Sequence, residues 1–580
     1  MHYLFKELGK SIVREKSPKE PRKWNRMWDY KDVHNVISEN MATGNLEAIV
    51  LRRYPENIDK IQAMSTLRTE ALAKMSRLKL LMLWNLNFSG SLNFLSSELG
   101  YLCWDKYPFS CLPSSFEPDK LVELILPHSN IRQLWEGTKP LHNLTRIDLS
   151  HSKNLIMMPN FSMIPNLEWL DLEGCIKLVQ IDPSIGILRR LFKLNLKNCK
   201  NLISIPNNII GLSSLKHLNI SGCPKLLNNQ LLQRQIKHLE MLDNKESTTQ
   251  YQSTSCIPSF RFSFFRKRKD SVGLLLPSRL SCLQYLDLSF CNLLQIPNAI
   301  GWLHSLEILN LGGNNFVTLP SSIKELSKLR QLNLEHCKQL KYLPELASNT
   351  VLPVGKTFFG RYVAGLYIFD CPSLIEMECC YRMAFAWMIQ LLQVHMQSDL
   401  PMGQIDIVIP RAQIPIWFNK QNVGSSISMD PSPIMHDNNW IGVACCLTFV
   451  AHDDPNNLGE GRSPHIGFGF QSKQRGRFPV IPIHLEKDLV TVELEHLLLI
   501  FFTRGECIDY YMSHITKGLH DISSTIELAA VVEQPLGLHL EVKNCGYRWI
   551  SKEDLEQLNP QMMHSGSGNS SVQIKYVTNN

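Results

Sequence analysis

At 580 residues, with 44% hydrophobic and 19% charged, the chain is long enough for two or three domains and has the composition of a folded protein, not a disordered one. A formal net charge of +7 is modest for that length and does not by itself call for a nucleic-acid ligand. The longest apolar run, 497–502, is far too short to span a bilayer, and Lys6 and Glu7 interrupt the opening before any secretory apolar run forms, which favours a protein of the cell interior.

In chain order, Leu4, Leu8 and Ile12 recur at helical spacing, and a basic, proline-containing stretch leads to Trp24, Trp28 and the apolar run at Val33, Val36 and Ile37. Residues 1–44 read as the end of a domain preceding the body of the chain. Residues 46–51 read as a strand and 64–75 as a helix.

A repeat then takes over. Apolar residues recur in the pattern L-x-x-L-x-L, starting at Leu99, Leu121, Leu144, Leu167, Leu191, Leu215, Leu283, Leu306 and Leu329, with a weaker copy at Leu78. Apart from one step of 68 residues, successive starts lie 21 to 24 residues apart. That is the period of a leucine-rich repeat. The predicted fold is therefore an α/β leucine-rich-repeat solenoid over 45–376, with one strand per coil forming a parallel sheet on the concave face. No coil can bury its leucines alone, so stacked neighbours must share one core.

Within each copy the positions between the leucines face outward and are the candidates for binding. One predicted column runs Glu168, Phe192, Lys216, Gln284, Glu307 and Arg330; a second runs Trp169, Lys193, His217, Tyr285, Ile308 and Gln331. Chemically varied side chains at equivalent places suit a surface that reads another protein, and exposed aromatics contribute disproportionately there. A third column, Asp148, Asp171, Asn195, Asn219, Asp287, Asn310 and Asn333, is too regular for specificity and reads as a structural polar ladder. Cys175, Cys199, Cys223, Cys291 and Cys337 stand three residues beyond the last apolar residue of their motifs, with Ser152 and Asn314 in the same place elsewhere. There a small polar side chain can satisfy loop backbone groups, so these cysteines read as packing, not as disulfides or a metal site.

The long step holds an insertion at about 226–278, polar at 244–255 and then aromatic and basic, ending in Arg266, Lys267, Arg268 and Lys269. It reads as a surface loop; the basic cluster also fits a nuclear-import signal or a site for an anionic partner. From residue 404 the period changes. Short β-type runs at 405–409, 426–429, 441–449, 465–470, 497–502 and 526–532, separated by polar turns, predict an all-β jelly-roll or sandwich over 400–552. The Ser-, Gly- and Asn-rich tail, 553–580, reads as disordered.

Both flanks of the repeats carry a family likeness. Met1-His2-Tyr3, Gly9, Ser17-Pro18, Pro21, Arg26-Met27-Trp28 and Asp32-Val33 resemble the last part of the nucleotide-binding region of plant Toll/interleukin-receptor-type nucleotide-binding leucine-rich-repeat disease resistance proteins. Ile409-Pro410, Ile414-Pro415, Trp417-Phe418, Trp440 to Ala444 and Cys545-Gly546-Tyr547-Arg548 resemble their post-repeat jelly-roll domain. The resemblance implies that 1–44 is a remnant of the nucleotide-binding, winged-helix region. It implies that the repeats and sandwich engage a pathogen effector or a guarded host protein. It also implies that they restrain a nucleotide-binding module in cis or in trans, in the cytoplasm or nucleus, with no membrane or nucleic-acid partner.

Relatives bind ADP or ATP and carry an NAD-cleaving domain, but neither module is recognisable here. Thr350 replaces the first glycine a phosphate loop would need before Gly355-Lys356-Thr357. His2 matches the family's Met-His-Asp motif, with Tyr3 at the acidic place, and lacks the rest of its pocket. No cofactor, metal or catalytic residue is therefore expected. G-x-S-x-G and H-E-x-x-H are absent from the sequence, and His465 and His496 lie in apolar strand-like runs that suit core or surface positions better than bases. Two rivals stand beside this reading. One is an extracellular repeat protein, for which Asn87, Asn143, Asn160 and Asn219 head glycosylation triplets; the other is a generic interaction scaffold or adaptor.

Overall fold

The computed structural model describes residues 3–15, 17, 20–51, 66–84, 86–226, 280–344, 346, 364–374, 377–396, 405–410, 413–430, 439–453, 465–472, 476–477, 483–484, 494–505, 507, 526–533 and 538–554. His2, the insertion from residue 227, the Gly355-Lys356-Thr357 tripeptide and the tail beyond residue 554 lie outside them. Two compact units divide the chain, Met1–Asn292 and Leu293–Asn580.

In the first unit helix α1 (Tyr3–Glu15) precedes strand β1 (Arg26–Met27) and helix α2 (Tyr30–Ser38). Asp29 caps α2 by accepting from the backbone N–H groups of Lys31 and Asp32, and the helix buries Val33, Val36 and Ile37. There follow β2 (Ala48–Val50), β3 (Thr66–Arg68), the short helix α3 (Glu70–Ala73), β4 (Leu80–Leu83), β5 (Asn87–Ser89) and β6 (Tyr101–Trp104). The regular rungs are β7 (Glu123–Ile125), β8 (Arg146–Asp148), β9 (Trp169–Asp171), β10 (Lys193–Asn195), β11 (His217–Asn219) and β12 (Tyr285–Asp287). The ladder β1–β2–β4–β6–β7–β8–β9–β10–β11–β12 is parallel throughout. The central residues Leu124, Ile147, Leu170, Leu194, Leu218 and Leu286 are buried and pair with one another in that order along it. On the return side 3-10 turns at Phe161–Met163, Pro183–Ile187 and Asn207–Gly211 reverse the chain, the second beginning with the fixed φ of Pro183.

Two expectations change here. Because β1 pairs with β2, the sheet begins at Arg26, inside the stretch assigned to a preceding domain. The expected helix over 64–75 is not formed over its described residues, 66–75: β3 pairs with β5, and only α3 is helical among them. The buried residues Leu67, Ala71, Leu72 and Met75 are spaced as a helix would space them, and a strand followed by one turn buries the same four.

The second unit opens with β13 (Ile308–Asn310), β14 (Gln331–Asn333) and β15 (Ala364–Tyr367), then helix α4 (Met377–Met396). The strands that follow are β16 (Ile405–Pro410), β17 (Lys420–Val423), β18 (Ser426–Met429), β19 (Trp440–Asp453), β20 (His465–Ser472), β21 (Gly476–Arg477), β22 (Ile483–His484), β23 (His496–Thr503), β24 (Ile526–Glu533) and β25 (Leu538–Ser551). β13, β14, β15 and β16 pair in parallel. At β16 the ladder turns antiparallel without a break and continues through β23, β19, β25 and β17. A second sheet joins β18, β24 and β20, with β21 and β22 beside β20. The β-sandwich core includes Val443, Cys445, Leu447, Phe449, Leu498 and Ile500, and the last rung contributes Tyr367 and Phe369 to it. The sandwich is thus built directly onto the repeat sheet.

Every β-run expected between 405 and 532 appears, whereas α4 and β25 escaped the sequence. α4 buries Ala384, Phe385, Trp387, Met388, Ile389, Leu391 and Leu392. The partly exposed Met383, Ala386, Gln390 and Gln393 recur at helical spacing on the other side, but two of them are apolar, so the amphipathic period is faint in the sequence. In β25 Gly546 interrupts the run of strand formers; a Cβ there would lie 2.8 Å from the Lys420 carbonyl on β17, and the glycine serves that close strand approach. His496 is buried, and its Nε2 accepts the Asp370 N–H at 3.0 Å, while Asp370 Oδ2 lies 2.9 Å from His336 Nδ1.

Candidate protein-binding face

The outward face of the first unit is set by register. Arg146 pairs with Trp169, Trp169 with Lys193, Lys193 with His217 and His217 with Tyr285. Adjacent parallel strands lie about 4.8 Å apart, so side chains in one column touch. They form a continuous stack. The Arg146 guanidinium sits 4.8 Å and the Lys193 ammonium 3.9 Å from the Trp169 ring, and His217 lies parallel to Tyr285 at 4.1 Å. Cations over an indole face are attracted by its quadrupole. Phe192, one position before β10, approaches Trp169 at 6.3 Å.

The stack rests on the polar column. Each of Asp148, Asp171, Asn195, Asn219, Asp287, Asn310 and Asn333 accepts through its side chain the N–H two residues on, at 2.8 to 3.2 Å. These bonds close the turn that ends each strand, which is the structural role the regularity implied. Asp148 and Asp171 also balance the cations, at 3.6 Å from Arg146 and 4.0 Å from Lys193. Burial lowers the Lys193 ammonium below its ordinary value and raises Asp171 and Asp287 above theirs. Burial, with help from Lys193, brings His217 down to about 4, so the stacked imidazole is neutral near pH 7.

The cysteines lie behind this face. Cys175, Cys199, Cys223, Cys291, Cys337 and Cys371 each point Sγ at a backbone carbonyl of the preceding rung, at 3.1 to 3.4 Å. Burial pushes the Cys175, Cys291 and Cys337 thiols up to about 12, which leaves them unreactive. Among the described residues no group of three or more His, Cys, Asp or Glu is placed to hold a metal ion.

Not every candidate position presents an open surface. Lys216 is exposed, and Glu168, Trp169, Phe192, Lys193, Gln284, Tyr285, Ile308 and Gln331 are partly so. His217, Glu307 and Arg330 are buried, which corrects their reading as outward-facing contacts. His217 is covered by its stack. Arg330 Nε lies 3.3 Å from Glu307 Oε2, and three residues on from Arg330 the ladder runs from Asn333 through Tyr367 to Val408 and so into the sandwich core. Arg146 is the residue the columns missed. It holds the same offset after Leu144 that Trp169 holds after Leu167, so the earlier repeat would have supplied it.

Comparison with known proteins agrees with this architecture. Leucine-rich-repeat family models match residues 120–139 and 279–338, and the C-JID domain model matches 409–556. The disease resistance protein RPV1 of Vitis rotundifolia is 36% identical over 33% of this chain and 15% of its own length. The TMV resistance protein N of Nicotiana glutinosa is 31% identical over 60% of this chain and 36% of its own. The disease resistance protein RPP2B of Arabidopsis thaliana is 29% identical over 82% of this chain and 48% of its own. The chain thus spans less than half the length of these relatives. Among solved structures, the Arabidopsis receptor kinase HAESA, in complex with the peptide hormone IDA and the co-receptor SERK1, matches 62% of this chain and 56% of that chain at 18% identity and a TM-score of 0.33. The Leptospira interrogans leucine-rich-repeat protein LIC12759 matches 57% and 81% at 19% and 0.26.

Leucine-rich repeats running into a C-JID domain define the class. Over the matched segments the chain is similar to named disease resistance proteins of plants.

Proposed function

We propose that the chain serves plant immunity as a protein-recognition surface, its repeat face and C-JID domain engaging a pathogen effector or a guarded host protein. The same surfaces help hold a nucleotide-binding module, supplied in cis or in trans, in its resting state. The observation that carries this reading is the preorganised stack of Arg146, Trp169, Lys193, His217 and Tyr285, flanked by Phe192 and the exposed Lys216. Side chains already fixed against their neighbours lose little entropy on binding. The reading gives the chain no cofactor and no catalytic step, and it places the protein in the cytoplasm or nucleus. Among the described residues no helix is long and apolar enough to cross a membrane. The resistance names of the relatives weigh against an adaptor without an immune role.

Co-precipitation from infected leaf tissue tests it. A protein retained by the wild type should be lost with Phe192→Ala and Trp169→Ala, each costing about 2 kcal/mol of binding if it sits in a hot spot. If every captured protein is retained equally by both variants, this face is not the recognition surface.

A further inference from the structure

Where the strands end, the loops of four successive rungs carry lysines that the stacked face does not use. Lys153 follows β8, Lys177 follows β9, Lys197 and Lys200 follow β10, and Lys225 follows β11; all are exposed. A single carboxylate stands among them, Glu173, at 3.6 Å from Lys197. Among the described residues no carboxylate pairs with Lys153, Lys177, Lys200 or Lys225. Two of these side chains are steered: Lys177 Nζ donates to Asn154 Oδ1 at 2.7 Å and Lys225 Nζ to Asn201 Oδ1 at 2.6 Å, each on the preceding rung. An amide oxygen orients an ammonium without neutralising it. The result is a strip of like charge with one or two lysines to a rung, an arrangement whose self-repulsion an anionic partner would relieve.

We propose that this lysine strip is the docking surface for the acidic face of a helix on the protein partner. Carboxylates three or four residues apart on a helix sit about 5–6 Å from one another, close to the spacing of about 4.8 Å between rungs. A helix lying across the rungs therefore offers one carboxylate per rung over several rungs. The strip has no arginine forks of the kind that favour nucleic acid, and the rings beside it are already stacked on each other. The nearby imidazoles of His128 and His151 stack on each other at 4.8 Å. The proposal rests on the reading that the repeats bind a protein. It assigns the electrostatic contact, as distinct from the aromatic one.

The full chain is titrated with a fluorescent alanine-based helical peptide carrying glutamates at every third or fourth position, with its glutamine counterpart and with a single-stranded DNA oligonucleotide. The glutamate peptide should bind, weaken with added salt, and lose about tenfold or more in affinity in the Lys153→Glu, Lys177→Glu, Lys200→Glu, Lys225→Glu variant. The four corresponding Lys→Arg substitutions should retain it. Equal binding of the glutamate and glutamine peptides, indifference to charge reversal, or tighter binding of the oligonucleotide would each overturn the proposal. The assay does not use Trp169 or Phe192, so its failure leaves the recognition face standing, and failure of the co-precipitation leaves this result standing.

Discussion

Three residues beyond the polar column, and at the equivalent place in neighbouring rungs, the backbone is left-handed. Lys106, His128, His151, Gly174, Asn198, Gly222 and Phe290 occupy that place in the first unit, and Gly313, His336 and Asp370 in the second, with φ between 54° and 69°. Gly, Asn, Asp and His tolerate this region best, and they fill all but two of these positions. The phenylalanine is held there by the turn that Asp287 closes. At Gly174 a Cβ would also lie 2.7 Å from His151 Nδ1, whereas at Gly137, with φ of 71°, it would meet nothing within 4 Å. Gly174→Ala should therefore cost about 1–3 kcal/mol, and Gly137→Ala, carrying only the backbone penalty, about 1 kcal/mol. Urea midpoints of the two variants check this. Equal losses would mean that the His151 ring swings aside at no cost.

At the scale of elements, the join between β15 and β16 is the informative one. Ala364 to Tyr367 pair with Ile405 to Val408, and Ile405 to Pro410 pair on their other edge with β23. The strand belongs to the repeat ladder and to the sandwich at once. A fragment starting at residue 400 should lack cooperative thermal unfolding and aggregate, because it loses Tyr367 and Phe369 from its core and exposes an edge of β16. A fragment starting at Leu293 keeps both. Calorimetry on the two fragments separates these outcomes, and a sharp transition in the shorter one would show the sandwich to be self-sufficient. This join also explains what the sequence concealed. The leucine period announces the rungs because their burial repeats, and the polar and cysteine columns follow from it. That Glu307 and Arg330 sit under cover depends on contacts among rungs and sandwich strands far apart in the chain, which no local period records. Arg146 and Gly174 were legible at fixed offsets. The Trp169 stack required the register, which turns a column of letters into side chains in contact.

For the molecule as a whole, buried imidazoles shape the response to acid. His217 in the first unit and His496 in the second are each brought down by burial to about 4. Their neutral forms are favoured on folding, so between about pH 6.5 and about pH 4 the unfolded chain binds the extra protons. Stability should fall as pH falls through that window, by up to about 3 kcal/mol per histidine. Asp171 and Asp287, raised by burial, act in the opposite sense and return part of the loss as they protonate. His496→Gln keeps an acceptor for the Asp370 N–H and removes the titration, so its denaturation profile should be flatter than that of the wild type between pH 6.5 and 4. Parallel profiles would place the acid sensitivity elsewhere.

β11 and β12 pair residue for residue, His217 with Tyr285 and Asn219 with Asp287, although their repeats start 68 residues apart, and Cys291 reaches the Ile220 carbonyl as its counterparts reach theirs. Chain length at that seam is thus uncoupled from the scaffold. Variants can gain or shed sequence there, and engineers can splice a reporter into it, while the planks on either side stay nailed to the same neighbours.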